Sequence, residues 1–308
     1  MSFDTSRVQV TIGVEATAGT AETLTATDQD VFWYSEGQVS YDIPKEAIGS
    51  PADGTFQEGE LISGIQRATI PDIMADFRTT GDGATEPKVW GYLGAFGMKV
   101  DGTTNKRLYW DGVPSCTTLT ANWKTYQCDD AFTLEGCRGG VGTLTIGADG
   151  PNSQIKYTLG NLTGYALRET NGTGRFALTG ADTGPIEIMA DYTVTIGSQV
   201  YAVDNWSFEV NASLGGEAGN NAQGGVKMKH VGQTGTFNAL LIRISPATES
   251  LINDNMDNLT KSTITMTSTN MNIQVDNVQT KTVAGADSDG TAALQIAGKL
   301  TEIGFTLN

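Results

Sequence analysis

Apolar residues in this chain recur mostly at every second position, and only twice at the three-to-four spacing of a helix. Val39, Tyr41 and Ile43 alternate with polar neighbours, as do Trp206, Phe208, Val210 and Ala212, which predicts half-buried strands. Strand signals also sit at Val8–Val14, in RLYW, GTLTIG and QIKYTL, at Gly235–Ile244, and three times more before the C-terminus. Gly64–Arg78 (GIQRATIPDIMADFR) reads as one strand with an edge or bulge at Pro71. A tight hairpin is predicted at Gly197–Ser198. The first helix is predicted over 86–98, where Pro87 suits the first turn and Val89, Leu93 and Phe96 share a face beside Trp90. The second is predicted over 247–261 on Leu251, Ile252, Met256 and Leu259. Three polar stretches separate these signals. Glu15–Asp30 is small and Thr/Ala-rich and is expected to bury little, while Lys45–Gly59 and Leu214–Gly225 read as long loops.

The order of signals repeats. Each half runs strand, Gly-containing loop, strand, short helix, then strands ending in Gly-x-Leu-Thr: TLGNLTGYAL (Thr158–Leu167) and IAGKLTEIGFTL (Ile296–Leu307). Gly147-Ala148-Asp149 and Gly160 through Thr163 fall without a gap on Gly285-Ala286-Asp287 and Gly298 through Thr301. Between these anchors the parity disagrees: Ile155, Tyr157 and Leu159 oppose Leu294 and Ile296, a conflict that only a bulge, which the sequence does not show, would repair. The first copy carries an insertion near Lys99–Ala131, and Arg168–Pro185 is the Gly/Thr-rich boundary. The expected organisation is an arm at 1–30, a first β domain at 31–180 and a second at 181–308.

Composition supports a mainly β chain: 38 glycines and many threonines accompany the strand signals. The net charge of −16, from 35 acidic and 19 basic residues, argues against binding nucleic acid by phosphate neutralisation or docking on an anionic membrane. It suits a solubility surface, or a face that DNA must pass without adhering. Met1–Val10 has no apolar signal segment, and no run approaches the ~20 apolar residues of a membrane helix. No membrane insertion is expected.

Chemistry is sparse. With one histidine, His230, any Ser-His-Asp or Cys-His centre would depend on that residue, which is expected at a surface or interface. Asp72 with Asp76, or Asp129 with Asp130, could be nominated as paired carboxylates, but nothing distinguishes them from a solvated surface. GADGPN (147–152) and GADSDG (285–290) lack the calcium-loop pattern and read as turns. RGGVG (138–142) lacks the Lys-Ser/Thr of a phosphate loop. Cys116, Cys128 and Cys137 lack zinc spacing, and reduced thiols suit them, with a Cys116–Cys128 bridge left open. No catalytic, cofactor-binding or metal-ligating residue is assigned, and no enzymatic activity is expected.

VTIGVEATAGTAETLTATDQDVFW resembles the opening Gly-x-Glu…Gly-Thr-Ala segment and first strand of the tail tube (major tail) proteins of long-tailed bacteriophages. GIQRATIPDIMADFR with EPKVWGYLGAFGM, FTLEGCRGGVGTLTIGADGPNSQIKYTLGNLTG, and the closing EIGFTLN resemble later passages of that family. The likeness is one of order and spacing along nearly the whole chain, and it departs where the helix is Gly-rich and has Tyr92-Leu93 for Leu-Leu. It implies tandem β-barrel or β-sandwich subunits with flanking helices, stacked as rings around a channel for DNA. Two barrels per chain imply three chains per ring, and single barrels imply six; three chains at −16 each carry −48. The implied partners are copies of the chain, the tape measure, terminator and distal tail proteins, and DNA in transit. The implied location is the virion, after synthesis in the host cytoplasm. The competing expectations are another phage β-module (tail terminator, head–tail joining or decoration protein), or an acidic β-sandwich binding glycan or calcium at a host surface.

Overall fold

The structure, a computed structural model, describes residues 9–24, 34–35, 40–42, 45–47, 61–63, 67–70, 72–124, 131–139, 144–169, 184–197, 199–217, 227–242, 261–288 and 291–308. The chain is mainly β. It opens with β1 (Gln9–Val14), β2 (Tyr34–Ser35), β3 (Ser40–Asp42), β4 (Lys45–Ala47), β5 (Leu61–Ser63), β6 (Arg67–Ile70) and β7 (Ile73–Asp76), followed by α1 (Lys88–Leu93). Next come β8 (Lys99–Asp101), β9 (Arg107–Trp110), β10 (Leu119–Lys124), β11 (Ala131–Gly139), β12 (Leu144–Ala148), β13 (Lys156–Leu159) and β14 (Leu162–Glu169). The remainder holds β15 (Thr193–Ile196), β16 (Gln199–Glu217), β17 (Lys227–Ile242), β18 (Ser262–Thr267), β19 (Met271–Ser288), β20 (Thr291–Lys299) and β21 (Glu302–Leu307). All the pairings are antiparallel.

A six-stranded sheet has the order β1-β10-β11-β14-β6-β3. A second sheet draws strands from both sides of residue 180: β12 pairs β16 through Ile146↔Phe208, and β9 pairs β21 through Leu108↔Phe305. Within it six strands make a closed circuit, β15 to β16, β17, β20, β19, β18 and back to β15. Val194, Val203, Trp206, Phe237, Ile264 and Ile296 help fill its interior, leaving no room for water. Aromatic contacts continue the core between chain halves: Phe77, itself stacked on Tyr157 at 4.5 Å, meets Phe305 at 5.5 Å, and Trp110 lies 5.9 Å from Phe208.

Local patterning explains much of this. Trp206, Phe208, Val210 and Ala212 are all buried, as their alternation requires. The first helix forms but is short, running over Lys88–Leu93 with a 3₁₀ turn at Gly94–Phe96. Gly97 stops it: its φ of 94° is left-handed, and Gly97 and Met98 donate their N–H groups to Gly94 and Leu93. Trp90 is fully buried and its indole donates to the Tyr157 hydroxyl at 3.0 Å. The second predicted helix lies outside the described residues over 247–260, as do 48–60.

Two expectations need correcting here. Gly64–Arg78 is not one strand: β6 joins β14 in one sheet and β7 joins β13 in the other, so the chain changes sheet between Ile70 and Ile73, with Pro71 itself outside the described residues. Leu214–Glu217 continue β16 and are not loop; 218–225 lie outside the described residues. Within 15–24, Glu15, Gly19 and Leu24 are buried while Ala16, Thr17, Thr20, Ala21 and Thr23 are exposed, in keeping with a segment that buries little; 25–30 lie outside the described residues.

The repeated Gly-Ala-Asp hairpins share one pairing register. Gly147↔Lys156 corresponds to Gly285↔Leu294, and Thr145↔Thr158 to Val283↔Ile296. No bulge interrupts either ladder there, yet Tyr157 and Leu159 are buried in one and Leu294 and Ile296 in the other. The same hairpin therefore presents opposite faces to the core. A bulge does occur opposite Gly298, between Thr280 and Thr282.

Candidate functional site

The feature that most exceeds the needs of a packed core is the β16–β17 hairpin. At ~3.3 Å per residue a strand of 19 residues reaches about 60 Å. β12 covers the edge of β16 only over Trp206–Val210, and β20 covers the edge of β17 only over Thr236–Ile242. From Asn211 and Thr234 out to Glu217 and Lys227, the two strands pair with each other, and no described strand pairs with their outer edges. Val231, 72% exposed, is the extra residue of a bulge between Ser213↔Gly232 and Leu214↔His230.

A polar network fixes the base of this hairpin. Trp110 Nε1 donates to Gln233 Oε1 at 3.0 Å, Gln233 Nε2 meets His230 Nδ1 at 3.1 Å, and His230 Nε2 meets the Gly139 carbonyl at 3.0 Å. Gly235 lies beneath the Trp110 ring, where a Cβ would stand 2.6 Å from the indole carbons. His230 is buried within the chain, where a position at the surface or an interface was expected. Burial holds its pKa below the usual histidine value, against the Gly139 hydrogen bond and with help from Arg138.

Two buried carboxylates have structural surroundings. Glu15 accepts from Gly19 N at 2.7 Å, Gly136 N at 2.7 Å, Thr118 Oγ1 at 2.6 Å and Thr120 Oγ1 at 3.2 Å. It thereby fastens the segment after β1 to β10 and β11. Replacing Glu15 by Ala is expected to cost about 2–4 kcal/mol by stranding these donors. Limited proteolysis with mass spectrometry should then find new cleavage between Ala16 and Thr23; unchanged resistance would remove the fastening role. Glu187 accepts from Thr79, Tyr192, Ser268 and Asn270. Burial and the Glu187 charge push the Tyr192 hydroxyl far above its usual range, so it stays a donor. Sequence reasoning missed both clusters, because their members lie 4 to 121 residues apart and the Thr residues read as ordinary strand formers.

The nominated pairs do not assemble into sites. Asp72 is exposed and Asp76 lies 3.9 Å from Arg78, while Asp129 and Asp130 lie outside the described residues. Gly150 and Ser153 close a hydrogen-bonded turn over 150–153, at the end of the first stretch, whereas Gly285–Ser288 of the second lie in β19 and are strand, with 289–290 outside the described residues. Arg138 and Gly139 end β11, with 140–142 outside the described residues. Cys116 is an exposed free thiol and Cys128 lies outside the described residues. Burial, then the Glu15 charge, raises the Cys137 thiol well above its usual value. Among the described residues no three His, Cys, Asp or Glu side chains gather to hold a metal, and no helix is long and apolar enough to cross a membrane. A cleft of about 330 Å³ beside α1 brings together Glu22 and Lys88, but Glu22 already accepts from the Ala16 N–H at 2.8 Å.

No protein-family model matches the chain, and no curated protein matches its sequence.

Proposed function

We propose that the chain is a structural subunit that assembles with copies of itself into stacked rings, forming the tail tube of a long-tailed phage. The observation that carries this reading is the β16–β17 hairpin, whose outer edges have no pairing strand among the described residues. A long hairpin that runs past the strands flanking it can add its edges to the sheet of another chain, and a closed ring of subunits would take up such edges. The filled interior of the six-strand circuit adds a second argument. It offers no passage through a single chain, so a channel would have to lie between chains. A charge of −16 per chain would let DNA slide along such a channel without adhering.

Two related units per chain are part of the proposal. The sheet order β1-β10-β11-β14-β6-β3 has a counterpart in the run β15-β18-β19-β21-β9-β8. In this reading the second unit is a barrel closed by β16, β17 and β20, and the first is a sandwich. The β8–β9 pair, within the insertion of the first copy, completes the edge of the second unit. Three chains would then make one pseudo-hexameric ring within the virion. Negative-stain microscopy of the purified protein is expected to show rings or tubes with a central hole. Monodisperse monomers at high concentration across salt conditions would overturn the reading.

A further inference from the structure

The chain's single histidine occupies the joint between the long hairpin and the body of the protein, and its protonation state follows from its neighbours. An indole N–H can only donate, so Gln233 must present Oε1 to Trp110 and Nε2 to His230. Nδ1 of His230 is then an acceptor without a proton. Nε2 carries the ring proton and donates it to the Gly139 carbonyl. The chain Trp110→Gln233→His230→Gly139 has one direction and suits only the neutral imidazole. Imidazolium would set its Nδ1–H against the Gln233 amide N–H. Flipping that amide would move the donor–donor clash to Trp110 and leave it unresolved.

We propose that His230 is the pin of a proton-operated hinge: the neutral ring fixes the β16–β17 hairpin to β9 and β11, and protonation releases the hairpin from that base. The position fits a hinge. The bulge at Val231 interrupts the ladder beside His230, and beyond it the pairing of β16 with β17 runs on to Glu217↔Lys227, past the ends of β12 and β20. The surrounding groups favour the neutral ring. Arg138 on β11 is the charged group acting on the imidazole, and its positive charge opposes protonation. Lys229, the neighbour on β17, is exposed. The opposing residues of β16 are Ser213 and Leu214, β9 contributes Trp110, and the turn after α1 contributes Gly97; none of these titrates near neutrality.

The sign follows from proton linkage. The released state binds a proton at about the ordinary histidine pKa of ~6.5, whereas the docked state has a lower pKa. Docking is therefore fully favoured above pH ~6.5 and weakens as pH falls, by up to about tenfold per pH unit until the docked ring itself titrates. This concerns the chain's own fold and does not depend on ring assembly.

One imidazole per chain makes the test direct, by nitrogen NMR of His230 combined with amide-exchange protection factors. The expected result is an Nε2–H tautomer near pH 8. On acidification, protection of residues 227–234 should fall while that of β10, β11 and β14 holds. An Nδ1–H tautomer, or protection that is unchanged or falls equally in all strands, would overturn the hinge. Gln233→Glu supplies a second arm, because a carboxylate can accept from both Trp110 and imidazolium. It is expected to raise the His230 pKa and keep the hairpin protected near pH 5; an unmoved titration would count against the proposal. Should that variant fail to fold, the tautomer and protection in the unaltered protein still decide the question.

Discussion

Replacing Glu187 by alanine is expected to lower unfolding stability by about 3–5 kcal/mol, among the largest losses from a single substitution in this chain. Glu187 is 1% exposed, and its two oxygens take four side-chain donors: Thr79 Oγ1 at 3.0 Å, Asn270 Nδ2 at 3.1 Å, Tyr192 hydroxyl at 2.6 Å and Ser268 Oγ at 3.3 Å. Its backbone also bridges strands, donating to Phe77 O and accepting from Ile155 N, each at 2.9 Å. The residue thus joins the segment after β7, the approach to β15 and the turn between β18 and β19. Alanine leaves buried donors without an acceptor and opens a cavity, and both effects destabilise. Relaxation should temper the loss, since Ser268 also reaches Met271 O at 3.2 Å. Glu187→Gln keeps the shape but turns an amide N–H toward donors, so an intermediate loss is expected. Chemical denaturation measures both variants. A loss under about 1 kcal/mol for Glu187→Ala would show that the cluster contributes little.

Shortening the hairpin is expected to abolish assembly while sparing the fold. Replacing residues 215–229 by Asn-Gly would join Leu214 to His230, which already face each other across the ladder, through a two-residue turn. The base network of Trp110, Gln233, His230 and Gly139 remains, and so does every pairing with β12 and β20. The variant should therefore melt cooperatively near the parent temperature, yet sediment as a monomer and form no tubes. Tubes of normal length would remove the hairpin from the assembly mechanism. A variant that neither folds nor assembles would instead assign the hairpin to the core.

Parts of the architecture could be read from neighbouring residues because period-two burial leaves a local trace. Trp206, Phe208, Val210 and Ala212 announce the buried face of β16, and Gly197 lies in the hairpin joining Ile196 to Gln199. The helix was legible from Pro87, Val89 and Leu93, although its end depended on the left-handed backbone at Gly97. The Gly-Ala-Asp hairpins were legible as a pair, down to their common register. Their opposite parity of apolar residues also marked the opposite buried faces, since pairing register depends on backbone hydrogen bonds while facing follows the apolar side chains; that no bulge reconciles the two was decided by the structure.

The candidate site was less legible still. Leu214–Gly225 looked like loop because Gly and Asn lack strand propensity, but Leu214–Glu217 continue the ladder on backbone hydrogen bonds. His230 looked like a surface residue because its partners are a backbone carbonyl 91 residues away and a glutamine held by an indole 123 residues away. Glu15 carried a motif-level hint in Gly-x-Glu…Gly-Thr-Ala, and the reason appears only when Gly19, Gly136, Thr118 and Thr120 converge on it.

The amino-acid order alone settles the β class, most strand positions, the acidic charge and the repeated hairpin, since each follows from short-range patterning or simple counting. The tertiary structure alone decides which strands close the six-membered circuit, where the chain crosses between sheets, and how the sole histidine is held. Those outcomes depend on contacts between residues remote in sequence, where burial and hydrogen-bond satisfaction act on the whole fold at once.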